Sequence, residues 1–462
     1  MLQDLLTSAR SHGLFDPRAW AGRLVIWLAA IGVGLVVVAF AELSDRAYLL
    51  FTSLQARWFW LPLVLTPAVG IACVWLSRRV FAGSEGGGIP QVMAAGDDRV
   101  DDATTRRFVS LRIAFGKFGL VLAALAGGFS VGREGPSVQI GASLMYACRG
   151  WLPRDFALDP RNLLVAGGAA GMAAAFNTPL AGIVFAIEQL ARRFEQGTNG
   201  VLIAAIVWAG LVSLALLGNY NYFGRLFVDD VTFAILPVVL VAGVVCGLAG
   251  GLFSRLLLYG LARLPRLAQA QARHPLLFAG ACGLGVAVLG LATAGATLGG
   301  GYETTREMLV GQVATPWYYS IGRFAATLLS TITGMPGGIF APSLAVGAGI
   351  GADLLPLTLL LTSAVSAAAV TALCMSGYLA AVTHAPLTAF IVVMEMVDGH
   401  AMVLSLMAVA MIASLVARLV SPPLYETIAE RMLAQLPGTA PPGEANSAAN
   451  GIESHNKRQD TP

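Results

Sequence analysis

The sequence has little charge for its length. Asp, Glu, Lys and Arg make up only 12% of its 462 residues, 56% are hydrophobic, and the mean hydropathy is +0.73. A soluble protein carries about twice that charged fraction, so a soluble fold is excluded and we expect most of the chain to form one membrane domain. The net charge is only +3, and the arginines form short clusters between apolar runs. Such clusters mark cytoplasmic loops, and nucleic acid is excluded as a partner.

Cysteines and enzyme motifs are also scarce or missing. The five cysteines form no CxxC pair, have no histidine nearby, and are interpreted as small buried hydrophobic side chains: Cys73, Cys148, Cys246, Cys282 and Cys374. The sequence contains no HExxH and no GxxxxGK(S/T) motif. We therefore predict neither enzymatic activity nor a metal site nor a cofactor. The lack of clustered acids also argues against a cation transporter.

The hydrophobic runs are numerous but interrupted. The first, at 25–40, is not followed by a signal-peptide cleavage site, so it is predicted to be the first membrane helix after a cytoplasmic segment of residues 1–20. Several later runs are shorter than the ~20 residues that a membrane-spanning helix needs, and many contain Gly or Pro. Broken helices are predicted, and function is expected at the breaks, because irregular backbone within a bilayer must be enclosed by protein or solvated by a cavity.

An internal repeat divides the chain. GREGPSVQIGA at 132–142 matches GIFAPSLAVGA at 338–348 with an offset of 206, and a second match between 174–188 and 380–395 has an offset of 207. Duplicated halves with matched breaks are typical of secondary transporters and related pores. We predict a transmembrane domain at 21–432, with one repeat at about 21–218 and the other at about 230–420, and a disordered tail at 433–462. The residues alone leave open whether the repeats are inverted.

Three glycine-rich segments stand out, at 83–90, 127–136 and 334–342, and each precedes a predicted helix start. Glycines let the backbone turn its amides inward, and a helix N-terminus offers unpaired N–H groups with partial positive charge. Such a start can bind an anion. Any one segment could instead be a Gly/Pro kink used for close helix packing. Three of them, two at repeat-related positions, favour an anion site.

Glu134 is the acid within the second of these segments. A charged carboxylate within a bilayer is costly, so it should either take up a proton or lie against the amides that attract anions. When charged it would fill the anion site, and when protonated it would swing away, which couples gating to pH. The alternative is a salt bridge to Arg133 at the membrane edge. Glu188 and Glu395 end two matched helices and are expected to be solvated.

These segments together resemble the CLC family of chloride channels and chloride/proton antiporters. GREGP at 132–136, GGIFAP at 337–342 and GGGIP at 86–90 carry the resemblance, which extends from about residue 20 to residue 432. Lys117 precedes GREGP as in the family. The resemblance implies an all-α polytopic membrane protein of the CLC fold. In that fold two inverted-topology repeats contain broken and re-entrant helices, and each subunit of a homodimer has its own pathway.

The resemblance also implies roles for particular residues. Glu134 corresponds to the external gating glutamate, the amides of Ile339 and Phe340 would hold the central anion, and the Tyr425 hydroxyl would line the inner end. The full set of predicted anion-binding residues is Gly87, Gly88, Arg133, Gly135, Ile339, Phe340 and Tyr425. Two positions depart from the family. Gly87 stands where a selectivity serine is usual, and Gln189 stands where many antiporters have an inner proton-transfer glutamate, with Glu188 adjacent as a substitute.

The leading hypothesis is therefore chloride transport coupled to proton antiport, with Glu134 as the gate and proton carrier. A passive voltage- or pH-gated chloride channel is the alternative, because glutamine cannot carry a proton. The predicted partners are chloride, protons, the lipid bilayer and a second copy of the chain. The predicted location is the cell inner membrane.

Overall fold

A computed structural model describes residues 16–154, 156, 158–190, 199–218, 223, 235–310, 316–362 and 365–436. Most of the predicted N-terminal segment and of the predicted tail lies outside the described residues. Within them the chain is helical, with one isolated antiparallel bridge between Gly132 and Gly338. The α-helices are α1 Pro17–Arg57, α2 Pro62–Arg79, α3 Ile89–Ala95, α4 Asp102–Phe108, α5 Leu111–Ala126, α6 Glu134–Ala147, α7 Pro160–Phe176, α8 Pro179–Phe185, α9 Asn199–Leu217, α10 Leu236–Tyr259, α11 Pro265–Arg273, α12 Pro275–Ala292, α13 Tyr302–Leu309, α14 Tyr319–Ile332, α15 Phe340–Leu361, α16 Ala367–Thr383, α17 Pro386–Val397, α18 Val403–Val420 and α19 Leu424–Ala434.

Seven stretches among the described residues are long and apolar enough to cross a bilayer. They include α1, α9, α10, α12 and α15, whereas α8, α16 and α17 are shorter apolar helices. The first helix is much longer than the apolar run at 25–40 that predicts it, because no Pro or Gly interrupts the chain between Gly34 and Pro62. The five cysteines are all buried and carry free thiols, as interpreted from the sequence.

The repeat is visible as matched pairs of helices. α7 and α16 have 17 residues each and end at Asn177 and His384, which both take the left-handed conformation with φ 56°. Each packs on the helix that follows the preceding glycine-rich segment, α6 or α15, through a glycine. A Cβ on Gly141 would lie 2.3 Å from the carbonyl oxygen of Gly167, and one on Gly347 would lie 2.6 Å from that of Cys374. The sequence matches thus mark equivalent contacts in the two halves.

The two halves meet in opposite directions. Gly132 and Gly338 are equivalent residues at the offset of 206, and the amide of each donates to the carbonyl of the other at 2.7 Å. This pairing is antiparallel. Equivalent segments therefore run antiparallel about a local twofold axis where they meet, which is the arrangement expected of repeats with inverted topology. The structure resolves the question that the residues alone leave open.

Candidate anion site

The three glycine-rich segments converge in the interior. In addition to the pairing of Gly132 with Gly338, the amide of Gly86 donates to the carbonyl of Gly334 at 3.3 Å, and the amide of Gly337 donates to the carbonyl of Gly86 at 3.1 Å. The segments at 83–90, 127–136 and 334–342 are therefore joined backbone to backbone. Helices α3, α6 and α15 begin at this junction, so their N-terminal amides share one region, as the anion-site interpretation requires.

Two positions at this junction require glycine, because the backbones of the first and second glycine-rich segments lie close together. Gly88 has φ +100°, which L side chains rarely adopt, and a Cβ there would lie 2.6 Å from the Gly135 carbonyl oxygen. A Cβ on Gly135 would lie 2.5 Å from the carbonyl oxygen of Gly87. The start of α3 and the start of α6 can approach this closely only without side chains. Gly87 itself is less constrained, because the nearest atom to its Cβ position is 3.8 Å away.

Glu134 is fully buried at the first turn of α6. Its Oε2 atom accepts a hydrogen bond from the amide of Ala341, in the first turn of α15, at 3.3 Å. The carboxylate thus lies across the contact between the two repeats and against a helix-start amide. This is the second of the two environments predicted from the sequence, in which the acid occupies amides that could otherwise bind an anion.

Arg133 points away from the junction toward α1. Its Nη1 atom donates to the carbonyl of Ala41 at 2.7 Å and forms an ion pair with Asp45 at 2.7 Å. The sequence left open a salt bridge between Arg133 and Glu134, but the ion pair that Arg133 forms is with Asp45. Since Arg133 is also the residue that precedes α6, its ion pair fixes the start of that helix to α1.

The predicted inner residues lie together at the start of α15. Ile339 caps this helix, and Phe340 is its first residue; both are buried. The ring of Tyr425, from the start of α19, is stacked on the Phe340 ring with centroids 6.3 Å apart and planes 5° apart. Phe340 also contacts the rings of Phe176 and Phe185. The structure therefore brings Tyr425 to the helix start where the resemblance implies a central anion.

Lys117 has a role that its sequence position alone did not indicate. It is fully buried on α5, and its Nζ atom donates to the carbonyls of Gly86 at 2.7 Å and Glu85 at 3.3 Å. The Gln139 side chain donates to the carbonyl of Gly83 at 3.0 Å. These donors satisfy the carbonyls of Gly83, Glu85 and Gly86 in the first glycine-rich segment.

The helix that carries Tyr425 is fixed to the end of α3. Arg99 pairs with Asp97 at 2.7 Å and with Glu430, on α19, at 2.9 Å. The hydrogen bond to the Asp97 carboxylate, and to a lesser extent the one to Glu430, raises the pKa of Arg99 above its usual value. Arg99, which lies beyond the end of α3, thus joins α3 to α19.

Glu188 and Glu395 are not solvated helix ends, and that expectation is wrong. Glu188 accepts hydrogen bonds from the Leu387 amide at 3.0 Å, the Thr388 amide at 2.6 Å and the Thr388 hydroxyl at 2.7 Å. Glu395 accepts one from the Ala181 amide at 2.9 Å. Each carboxylate, at the end of one repeat's helix, therefore caps the N-terminus of the equivalent helix in the other repeat. The side chain of the adjacent Gln189 donates to the Thr383 carbonyl at 3.3 Å.

Replacing Glu188 with alanine should destabilise the contact between the halves. The change leaves the Leu387 and Thr388 amides without their acceptor and should lower the free energy of unfolding by about 1–3 kcal/mol. Thermal unfolding of the detergent-solubilised protein measures this as a lower Tm. Glu42→Ala is the matched control, because Glu42 is half exposed and pairs with Arg46 only at 3.7 Å. Equal losses in both variants would contradict the capping role.

Comparison with known proteins places these features in one family. A sequence model described as voltage gated chloride channel matches residues 69–418. The H(+)/Cl(-) exchange transporter ClcA of Salmonella agona is 30% identical over 429 residues, covering 89% of this chain and 85% of the relative, and the same protein from Salmonella typhi matches equally. These relatives are named as transporters and not as enzymes.

Solved structures agree on the fold. A slow cyanobacterial Cl-/H+ antiporter matches with a TM-score of 0.79 at 24% identity, covering 91% of this chain and 99% of that one. A CLC-type fluoride/proton antiporter matches with a TM-score of 0.71 at 22% identity, covering 87% and 97%. With the family's sequence model matched across both repeats and the inverted pairing of Gly132 with Gly338 in place, this chain belongs to the voltage-gated chloride channel (CLC) family and is a multi-pass membrane protein of the CLC fold.

Proposed function

We infer that this protein exchanges chloride for protons across the membrane, with Glu134 as both gate and proton carrier. The observation that carries the proposal is the hydrogen bond from the Ala341 amide to the Glu134 carboxylate. An acid from one repeat occupies a helix-start amide of the other, at the junction of the three glycine-rich segments. The relatives named as H(+)/Cl(-) exchange transporters support coupling to protons over passive conduction.

Competition for the same amides links the two ions. A charged Glu134 and a chloride ion are both anions, so the amides at the start of α15 can hold one of them at a time. Protonation removes the charge of the carboxylate and with it most of its attraction to the amide, which frees the amides for chloride. Return of the carboxylate releases the proton and expels the anion. The helix starts hold the anion by partial charges, which are weak enough to let it leave.

The further anion contacts are proposed for the residues around this junction. We assign the central anion to the amides of Ile339 and Phe340, and the inner end of the pathway to the Tyr425 hydroxyl. Tyr425 stacks on Phe340, which supports the assignment. Main-chain groups of Gly88 and Gly135 line the other side of the junction, because a side chain at either position would meet backbone atoms of the other segment.

The proton route at the inner side has no glutamate at its usual position. Gln189 cannot bind a proton. Glu188 is the neighbouring acid, but both of its oxygens accept hydrogen bonds from α17. A proton on Glu188 would compete with the bonds that join the two repeats. We therefore propose that Glu134 is the one side chain that carries the proton and that water brings it to Glu134 from the inner side.

Gly87→Ser should raise the preference for chloride over nitrate. The position has room for a side chain, because its Cβ would lie 3.8 Å from the nearest atom, and a serine hydroxyl would add a donor to the anion pathway. One added hydrogen bond should change the selectivity ratio by roughly three- to tenfold. Anion competition against isotopic chloride uptake in liposomes measures the ratio. An unchanged ratio in a fully active variant would contradict a position for Gly87 beside the anion.

The test of the proposed function is proton movement driven by chloride. Purified protein in liposomes should drive protons against their gradient when a chloride gradient is imposed, and a sodium gradient with a non-transported anion should have no effect. Chloride flux that moves no protons would establish a channel and overturn exchange. If the protein binds chloride in solution but moves neither chloride nor protons across the liposome membrane, both the exchange and the channel hypotheses are wrong.

We further propose that the protein works as a homodimer in the cell inner membrane. Both follow from the resemblance to the family. Within the part of the chain that the structure describes, seven apolar stretches long enough to span a bilayer support a membrane location. Chloride, protons, lipid and a second copy of the chain are then its partners. Cross-linking in native membranes would test the dimer, and cell fractionation would test the location.

A further inference from the structure

A cavity of about 360 Å³ lies outside the anion pathway, where two long helices end. It is lined by Arg255, Tyr259, Ala262, Arg263 and Val420. Arg255 and Tyr259 belong to the last turns of α10, and Val420 is the last residue of α18. Two exposed guanidinium groups therefore face one small cavity, and no acidic side chain among the described residues lines it.

Close packing of two helices forms this cavity. Glycines recur every four residues on α10, and a Cβ on Gly247 or Gly251 would lie 2.7 or 2.9 Å from the Cβ atoms of Val416 and Val420. The small residues let the two backbones approach. Their ends are consequently adjacent, and one guanidinium nitrogen of Arg255 donates to the Val420 carbonyl at 3.4 Å. That single bond leaves most of the five N–H donors of the guanidinium for a ligand.

The segment of the sequence that contains α10 carries arginines and no acidic residue. The sequence has no Asp or Glu from residue 231 to residue 302, whereas it has arginines at 255, 263, 266 and 273. Arg431 approaches from α19, with its guanidinium carbon 5.2 Å from the centroid of the Tyr259 ring and a hydrogen bond to the Leu258 carbonyl at 2.9 Å. The one-sided charge favours an anionic ligand.

Exposed leucines precede the cavity residues on both helices. Leu248, Leu252 and Arg255 lie on one face of α10 at spacings of four and three residues, and both leucines are about half exposed. On α18, Leu415 and Leu419 are more than half exposed. Beyond α10, the short helix α11 has no buried residue. A helix of that kind, with leucine and arginine exposed together, is typical of the headgroup layer.

We propose that this cavity, the Arg255–Arg263 pocket, binds the phosphate of an anionic phospholipid whose acyl chains lie along the exposed leucines of α10 and α18. A planar guanidinium matches phosphate oxygens in a bidentate manner. Basic pockets between membrane helices on the cytoplasmic side bind such headgroups. A free phosphate ion would match the guanidinium groups equally but would make no use of the apolar surface below them.

The first experiment measures lipid retention by native mass spectrometry of the full-length protein. Wild-type protein should retain phosphatidylglycerol in preference to phosphatidylcholine with the same acyl chains. The double variant Arg255→Gln/Arg263→Gln should lose that preference, by roughly fivefold for each arginine. The matched control Arg266→Gln/Arg273→Gln removes the same charge from α11, which does not line the cavity, and should retain it.

Three outcomes would overturn the proposal. If the pocket variant retains phosphatidylglycerol as the wild type does, the pocket does not bind it. If both double variants lose it equally, only diffuse positive charge attracts the lipid. If excess inorganic phosphate displaces the lipid completely, the site takes free phosphate. The single variant Arg263→Gln guards against misfolding, because Arg263 lies beyond the end of α10, and it alone should weaken retention by roughly fivefold.

Discussion

Glu134→Gln should abolish chloride-driven proton movement and leave chloride flux in place. Glutamine has the shape of glutamate but cannot take up or release a proton. It is also neutral, so it competes weakly with chloride for the Ala341 amide at the start of α15. The liposome assay should therefore record proton flux at the level of the background leak, together with chloride flux that still dissipates the imposed gradient.

The control for this substitution is Glu42→Gln. Glu42 is half exposed on α1 and pairs with Arg46. This variant should keep both fluxes. Proton movement that survives in Glu134→Gln would show that another group carries the proton, and Glu188 would then be the next acid to replace. Loss of both fluxes in a folded Glu134→Gln protein would contradict the proposal that a neutral side chain at this position leaves the amides free for chloride.

The same substitution should remove the dependence of chloride flux on pH. In the wild type, lowering the pH protonates Glu134, and the neutral side chain vacates the amides that chloride needs, so chloride flux should rise as pH falls. In Glu134→Gln the side chain is neutral at every pH, and the flux should stay constant. Isotopic chloride efflux from liposomes at several pH values measures both. A wild-type flux that rises with pH would have the wrong sign for this mechanism.

Gly135→Ala should have the second large effect, through the backbone. The added methyl group would lie 2.5 Å from the Gly87 carbonyl oxygen, and neither segment can move without disturbing the junction. Overpacking of this kind costs about 1–3 kcal/mol, which corresponds to a loss of roughly tenfold or more in flux if the strain falls on the anion-bound geometry. Chloride efflux from liposomes, normalised to the amount of folded protein, measures the loss.

Gly119→Ala is the matched control, with the same chemical change in a neighbouring helix. Gly119 lies on the exposed face of α5, and no atom lies within 4 Å of its Cβ position. Alanine there should leave chloride flux unchanged and should stabilise the helix slightly, by about 1 kcal/mol. Wild-type flux in Gly135→Ala would mean that the α3 and α6 starts are not held as closely during transport as they are in this structure.

Much of the fold could be predicted from the sequence because its signals are local. Low charge and long apolar runs require a bilayer, and the constant offset of 206–207 residues indicates two halves. The glycine-rich segments predict helix starts, because only glycine tolerates the φ of +100° at residue 88 or the close approach of two backbones at residue 135.

Other features depend on contacts between residues far apart in the chain, and for these the local pattern was misleading. Glu188 and Glu395 look like solvated acids at helix ends, but each caps a helix of the opposite repeat. Arg133 adjoins Glu134 in the sequence, yet its guanidinium pairs with Asp45. Lys117 shows no partner in its own helix, because the carbonyls that it satisfies belong to residues 85 and 86.

The sequence by itself determined that this chain resides in a membrane and that it is duplicated, and it predicted that amides at glycine-rich helix starts and one acid, Glu134, form its functional site. Composition and spacing are enough for these, because they express local backbone freedom and the cost of charge in lipid. Only the tertiary structure decided that the repeats are inverted, that the Glu134 carboxylate binds the amide of Ala341, and that two arginines share a cavity at the end of α10. Each of these is a contact across hundreds of residues or between separate helices, and such contacts depend on how the helices pack.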